Sequence, residues 1–190
     1  MRHLMQRASP AVAARLLFGA LLSIILVAAS AGTSRAVQLI PSVGYTKPTD
    51  AAAGNGQLSG GLALRASLLP FLSAEGGIAY RQESFPGGDV RMWPVTASLW
   101  LTPVPVVYAG GGIGRYRTTY DYQSATEIPD VTTSRAGVHV GGGMAIPLSP
   151  SVGLDLNARY IFMQTDNSIE LPTQFNPDFW STSLGLALRF

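Results

Sequence analysis

Residues 152–162 read VGLDLNARYIF, and the order of side chains in this stretch decides the fold. Val152, Leu154, Leu156, Ala158, Tyr160 and Phe162 fall on one parity; Gly153, Asp155, Asn157 and Arg159 fall on the other, before Ile161. A period of two is the signature of a β-strand with one apolar and one polar face. The C-terminus repeats it, with Leu184, Leu186, Leu188 and Phe190 alternating with Ser183, Gly185, Ala187 and Arg189. Residues 62–68 and 72–80 follow the same rule, and similar runs cover about 37–46, 90–102, 106–116 and 135–146. No stretch after residue 36 carries a 3.6-residue period, and glycines interrupt every candidate helix. The reading is eight strands.

The connections alternate in length. Short ones carry Pro70, Pro103 with Pro105, and Pro147 with Pro150; longer polar ones cover roughly 47–59, 82–89, 117–134 and 164–178. All short turns therefore lie at one end of the sheet and all long loops at the other. Three turn prolines lead to tyrosines, Pro70 to Tyr80, Pro105 to Tyr116 and Pro150 to Tyr160, at intervals of 10, 11 and 10 residues. A tilted strand crosses a bilayer in about 9–11 residues. These tyrosines are thus expected in an interfacial aromatic girdle. The fifth strand leaves two registers open: either Val107, Ala109 and Ile113 face lipid, or Tyr108 and Tyr116 do, and a bulge would allow both.

Composition decides which way the apolar face points. Only 13% of the 190 residues are charged, against about 25% in an average globular chain. Lys47 is the one lysine. A soluble barrel needs a charged outer face, whereas the polar face here is mostly Gly, Ser, Thr and Ala. Its few charges are of both signs and suit a narrow interior. In a bilayer every backbone group must be paired, which a closed sheet achieves without edges. The fold class is therefore all-β: an eight-stranded antiparallel transmembrane β-barrel over 37–190, preceded by a cleavable signal peptide over 1–36. Arg2, Arg7 and Arg15 precede the apolar run from Leu16 to Ala29, and small residues follow, with cleavage after Ala31 or Ala36. That order is a secretory signal, and 14 apolar residues fall short of the roughly 20 of a spanning helix. Beyond Ala36, nine basic residues face eleven acids, a balance of −2 that removes the case for nucleic acid. With no cysteine, disulfide scaffolds and thiolate metal sites are excluded.

With its final strand SLGLALRF (183–190) and the stretches VYAGGGIG (107–114) and GVHVGGG (137–143), the chain resembles the small outer-membrane β-barrel family of Gram-negative bacteria, the OmpA/OmpW-like barrels. The resemblance implies an outer-membrane location after Sec-type export, with outer-membrane lipid and lipopolysaccharide as neighbours. It implies that Phe190 is read by the barrel-assembly machinery. With nothing after Phe190, no soluble peptidoglycan-binding domain is expected. OmpW-like relatives suggest a narrow channel for small or hydrophobic solutes.

Inside the barrel, Arg65 and Glu75 stand five residues either side of Pro70 and should be cross-strand neighbours. Asp155, Arg159, His139 and Arg189 are also expected inward, as is Trp100. The expected assembly is an ion-pair network filling the lumen, because buried charges are normally paired. A gated proton or ion path is the functional alternative. Eight strands enclose an interior that side chains just fill, which argues against a wide porin. His139 is the lone histidine of the mature chain, and position 141, two residues on, is glycine rather than serine. Without an activated nucleophile the expectation is no enzyme, no catalytic residue, no metal and no cofactor; a lipid-modifying enzyme is the weakest rival. The glycine run 110–114 lies inside a strand, so it makes room for neighbours rather than for phosphate. The long loops and the residues that flank them hold nine acids against four bases, Lys47, Arg81, Arg91 and Arg117, with Tyr120, Tyr122, Phe175 and Phe179 among them. Loops 117–134 and 164–178 are accordingly the candidates for an extracellular ligand. The favoured role is structural or adhesive.

Overall fold

The computed structural model describes residues 37–49, 56–85, 88–122, 131–164 and 178–190. The expected signal segment 1–36 and most of the long loops lie outside these. Eight strands close into one barrel in sequence order: β1 (Val37–Pro48), β2 (Gln57–Leu69), β3 (Leu72–Phe85), β4 (Gly88–Val104), β5 (Val107–Tyr122), β6 (Val131–Pro147), β7 (Val152–Met163) and β8 (Phe179–Arg189). Every neighbouring pair is antiparallel. β1 closes on β8 from Gln38↔Arg189 to Pro48↔Phe179, and the Phe190 amide donates to the Val37 carbonyl at 3.0 Å. No strand edge is left to face lipid.

Several strands outrun their expected ends on the loop side. The expected loop 117–134 narrows, because β5 continues to Tyr122 and β6 begins at Val131. Threonine and tyrosine there favour extended backbone, and Thr119 and Thr132 pair across the ladder with hydroxyls 3.1 Å apart. Strands of up to 17 residues exceed what a bilayer requires. Prolines mark gaps in the ladder, since they lack an amide donor. The β3–β4 register passes from Ile78↔Val95 to Arg81↔Met92 around Pro94, and the β1–β8 register from Leu39↔Leu188 to Ser42↔Gly185 around Pro41.

The apolar parity points outward, with Val43, Leu62, Ile78, Leu99, Val140 and Leu186 all exposed. In β5 the outward set is Val107, Ala109 and Ile113, and Tyr108 and Tyr116 are buried in the lumen. Pairing runs without a register shift from Leu101↔Ala109 to Gly88↔Tyr122, so no bulge brings both sets outward. Tyr116 therefore does not belong to the girdle. Its interval from the turn proline is odd, 11 rather than 10, and one residue of difference moves a strand position to the other face.

The β4–β5 turn carries Val106 at φ 80°, the one non-glycine residue with positive φ among those described. Pro105 ahead of it fits the second position of a type II turn, whose third position demands positive φ. A β-branched side chain is strained there. Val106→Gly should raise stability by about 1 kcal/mol, read as a higher urea midpoint in lipid vesicles; an unchanged midpoint would mean the turn is relaxed as it stands.

Candidate functional site

The lumen is crossed by a ring of hydrogen bonds built from four strands. Arg65 on β2 pairs directly with Glu75 on β3, as the register Arg65↔Glu75 requires. Its Nε donates to Glu75 Oε2 at 2.8 Å, and its Nη1 donates to Asp155 Oδ2 on β7 at 2.7 Å. The Tyr108 hydroxyl donates to Asp155 Oδ1 at 2.8 Å and accepts from Asn157 Nδ2 at 3.0 Å. Arg159 Nε donates to Asn157 Oδ1 at 2.6 Å, and its Nη2 returns to Glu75 Oε1 at 2.7 Å. The circuit closes. Two guanidinium groups balance two carboxylates, and Glu75 is 1% exposed. The guanidinium of Arg65 also lies 4.5 Å from the Tyr108 ring centroid, and that of Arg159 lies 5.0 Å from the Trp100 ring. Cation–π contact of this kind adds to the ion pairs in a desolvated setting.

Local sequence explains the reach of these groups. Asp155, Asn157 and Arg159 share the inward parity of β7, so one strand supplies an acid, an amide and a base in a row. On β5 the inward positions between Tyr108 and Tyr116 are Gly110, Gly112 and Gly114, a trough without side chains. Across it the pairs Ser98↔Gly112 and Gly112↔His139 let Ser98 Oγ on β4 meet His139 Nε2 on β6 at 2.9 Å. A Cβ on Gly112 would collide with the Ala97 carbonyl oxygen. Trp100 lies in the same trough, its ring 5.3 Å from that of Tyr108.

The sequence-derived residues thus separate. Arg65, Glu75, Asp155 and Arg159 come together in one ring. His139 is fully buried in the lumen but bonds Ser98 rather than an ion. Arg189 stands apart: its Nη1 donates to the Ser149 carbonyl at 3.3 Å at the short-turn rim. Its place as the penultimate residue carries it to that rim, beyond the depth of the ring. Tyr80 and Tyr160 face outward, Tyr80 beside Trp93 and Tyr160 beside Trp180, with centroids 4.7 and 4.8 Å apart. Tyr116 instead packs inward on Phe179, with centroids 5.8 Å apart, together with Met92 and Ile161. Tyr108, Asn157 and Ser98 were not among the expected site residues. Asn157 and Ser98 carried a signal in their inward parity, and Tyr108 in one of the two registers left open.

Ser98 answers the missing partner of His139. His139 Nδ1 has no partner among the described residues, so none of their acids orients the ring. Two cavities flank the ring. One of about 160 Å³ on the short-turn side is lined by Gln38, Ser67, Ser73 and Trp100. The other, about 120 Å³ on the loop side, is lined by Ser42, Ser59, Thr96, Ser183 and His139. The first is lined mainly by polar surface and the second mainly by apolar surface, and each has room for several waters. The unpartnered Trp100 Nε1 and Gln38 Oε1 belong to residues lining the first, and His139 to the second.

Removing one member of the ring leaves a buried charge alone. Arg65→Ala should destabilise the barrel by about 3–5 kcal/mol, measured by urea unfolding. Combining it with Glu75→Ala should cost less than the two single changes summed; strictly additive losses would mean the pair is uncoupled.

Comparisons with known proteins agree with this architecture. No curated protein matches the chain. Neisserial surface protein A is similar in structure, with a TM-score of 0.63 at 19% identity, the match covering 83% of this chain and 98% of that one. Ail, the attachment invasion locus protein of Yersinia pestis, solved with the heparin analogue sucrose octasulfate, gives 0.56 at 16% identity over 83% and 100%. OprG, an outer membrane protein from Pseudomonas aeruginosa, gives 0.53 at 11% identity over 81% and 95%. The family model described as outer membrane protein beta-barrel domain matches residues 17–190. With its closed sheet turned apolar side out and its charges folded into the lumen, the chain belongs to this family of outer-membrane β-barrels.

Proposed function

We propose that this protein is an exported structural barrel of the Gram-negative outer membrane that presents its long loops to the exterior and does not conduct. The supporting observation is the closed ring Arg65–Glu75–Arg159–Asn157–Tyr108–Asp155, in which the charged groups across the lumen are mutually paired. Opening a path through it would strand at least one buried charge, the most expensive change available in a low-dielectric interior. On the loop side, Met92, Tyr116, Ile161 and Phe179 add an apolar layer. Residues 1–36 act in this reading as the Sec-type signal, and the short turns face the periplasm.

The loops carry the contact with the outside. Ail supports an adhesive role for a barrel of this shape, but the ligand chemistry should differ. Nine acids against four bases in these loops and the residues that flank them disfavour a sulfated sugar and favour a basic or neutral partner. The channel reading draws on the two cavities, which leave only the ring and its aromatic neighbours between them. The two readings part in a planar bilayer. The barrel should be silent, and Arg159→Ala with Trp100→Ala should introduce small, frequent openings. Discrete openings of the unaltered barrel would overturn the structural reading in favour of the channel.

Phe190 ends the chain beside β8 and is 79% exposed. As the assembly signal it should matter for insertion in cells more than for folding. Phe190→Ser should lower the outer-membrane yield severalfold while refolding into detergent stays normal, both read by heat-shifted gel mobility. Normal insertion of the variant would remove that role.

A further inference from the structure

The aromatic belt at the loop end of the barrel is incomplete. On the outward face it is built by Tyr80 with Trp93, and by Tyr160 with Phe162 and Trp180. Between these two groups, over β5 and β6, the outward positions hold Arg115, Arg117 and Ser134. The register fixes their level: Arg117 pairs with Trp93 and with Ser134, and Arg115 pairs with Val95 and Ala136. Tyr116 between the arginines is buried in the lumen, so both arginines point outward, and both are exposed. Arg115 therefore stands on the membrane side of Trp93, directly above Ile113 in the lipid-facing band.

A guanidinium at that depth meets lipid headgroups. Charged groups at a bilayer interface seek an opposite charge or reach for water. Arg115 Nε donates to Ser134 Oγ at 2.7 Å, which fixes the fork of the guanidinium. The Ser134 hydroxyl accepts that bond and retains its own proton to donate. The arrangement offers a guanidinium edge and a hydroxyl, with a second guanidinium two residues along, which matches the oxygens of a phosphate. Among the described residues, the nearest acidic positions along β4 and β5 are Asp89 and Asp121, which pair in the register six residues along β5 from Arg115.

We infer that Arg115, Ser134 and Arg117 form a site for a phosphate carried on a lipid headgroup in the leaflet at the loop end of the barrel. The site commits to lipid-borne phosphate because it opens onto apolar surface. Acyl chains attached to such a headgroup would lie against Ile113 and Val138, both about half exposed. The inference rests on the membrane reading above and names a lipid that this face of the barrel would hold.

The test uses the full chain, expressed in cells and extracted from outer membranes into neutral detergent, with bisphosphorylated lipid A as the probe and thermophoresis as the readout. Arg115→Gln should weaken binding about tenfold, the loss of one charge-assisted contact. Ser134→Ala and Arg117→Gln should weaken it less, and Arg115→Lys should retain part of it. Lys47→Gln, an exposed charge on β1 well away from β5, should change nothing. Unchanged affinity in Arg115→Gln would overturn the proposal, and an equal loss in Lys47→Gln would reduce it to diffuse surface charge. Equal binding of fully dephosphorylated lipid A, or displacement by millimolar inorganic phosphate, would overturn the lipid-borne phosphate. Gel mobility verifies that each variant is folded; should Arg115→Gln fail to fold, Arg115→Lys combined with Ser134→Ala carries the test. Recovery of the chain outside the membrane fraction would refute the membrane reading itself, separately from any result with lipid A.

Discussion

Pairing of the charges inside the barrel is the constraint on which the rest of the structure depends. A closed sheet in lipid satisfies its backbone without help, but it encloses whatever its inward parity carries. Here that parity carries Arg65, Glu75, Asp155 and Arg159 at nearly one depth, and any of them left alone would be intolerable in a dry interior. Asn157 and Tyr108 finish the circuit by relaying hydrogen bonds where no further charge stands. The six side chains span the barrel from β2 and β3 to β7, so the ring also braces opposite walls against one another. Such networks are worth more than their separate bonds, because each member polarises and positions the next.

The ring has a structural counterpart in the empty wall of β5. Gly110, Gly112 and Gly114 remove side chains from one strand so that Trp100, His139 and Tyr116 have somewhere to lie. Charge and bulk are thus distributed unevenly around the lumen. β1 and β8 contribute small groups such as Ser42, Gly44, Ser181 and Ser183, and the loop-side cavity lies along them. An interior that eight strands leave only just wide enough for side chains is filled by alternating crowded and vacant walls rather than by uniform packing.

Much of this was legible in the amino-acid order. Parity in 152–162 and 183–190 placed Asp155, Arg159 and the lipid-facing leucines correctly, because strand geometry leaves a side chain only two directions. Arg65 and Glu75 could be paired because a short turn at Pro70 sets the hairpin register. Tyr116 shows the limit of such reasoning: a spacing nearly equal to its neighbours suggested a girdle, and the one extra residue reversed its face. Arg189 shows another limit, since parity gives the face but not whether a charge lies at the depth of its partners. Ser98 and His139 meet across an intervening strand, a relation that no pairwise hairpin argument reaches.

The sequence by itself determined the strand count, the closed sheet and the outward apolar face, because periodicity, turn residues and composition are local properties and the bilayer admits few answers. Tertiary structure alone decided which inward groups bond one another. The closing of β1 on β8 sets the depth at which β2, β3, β5 and β7 face each other across the lumen, and hydrogen bonds form only between groups brought within about 3 Å. That depth makes a ring of four charges, a tyrosine and an asparagine, and it leaves Arg189 at the rim.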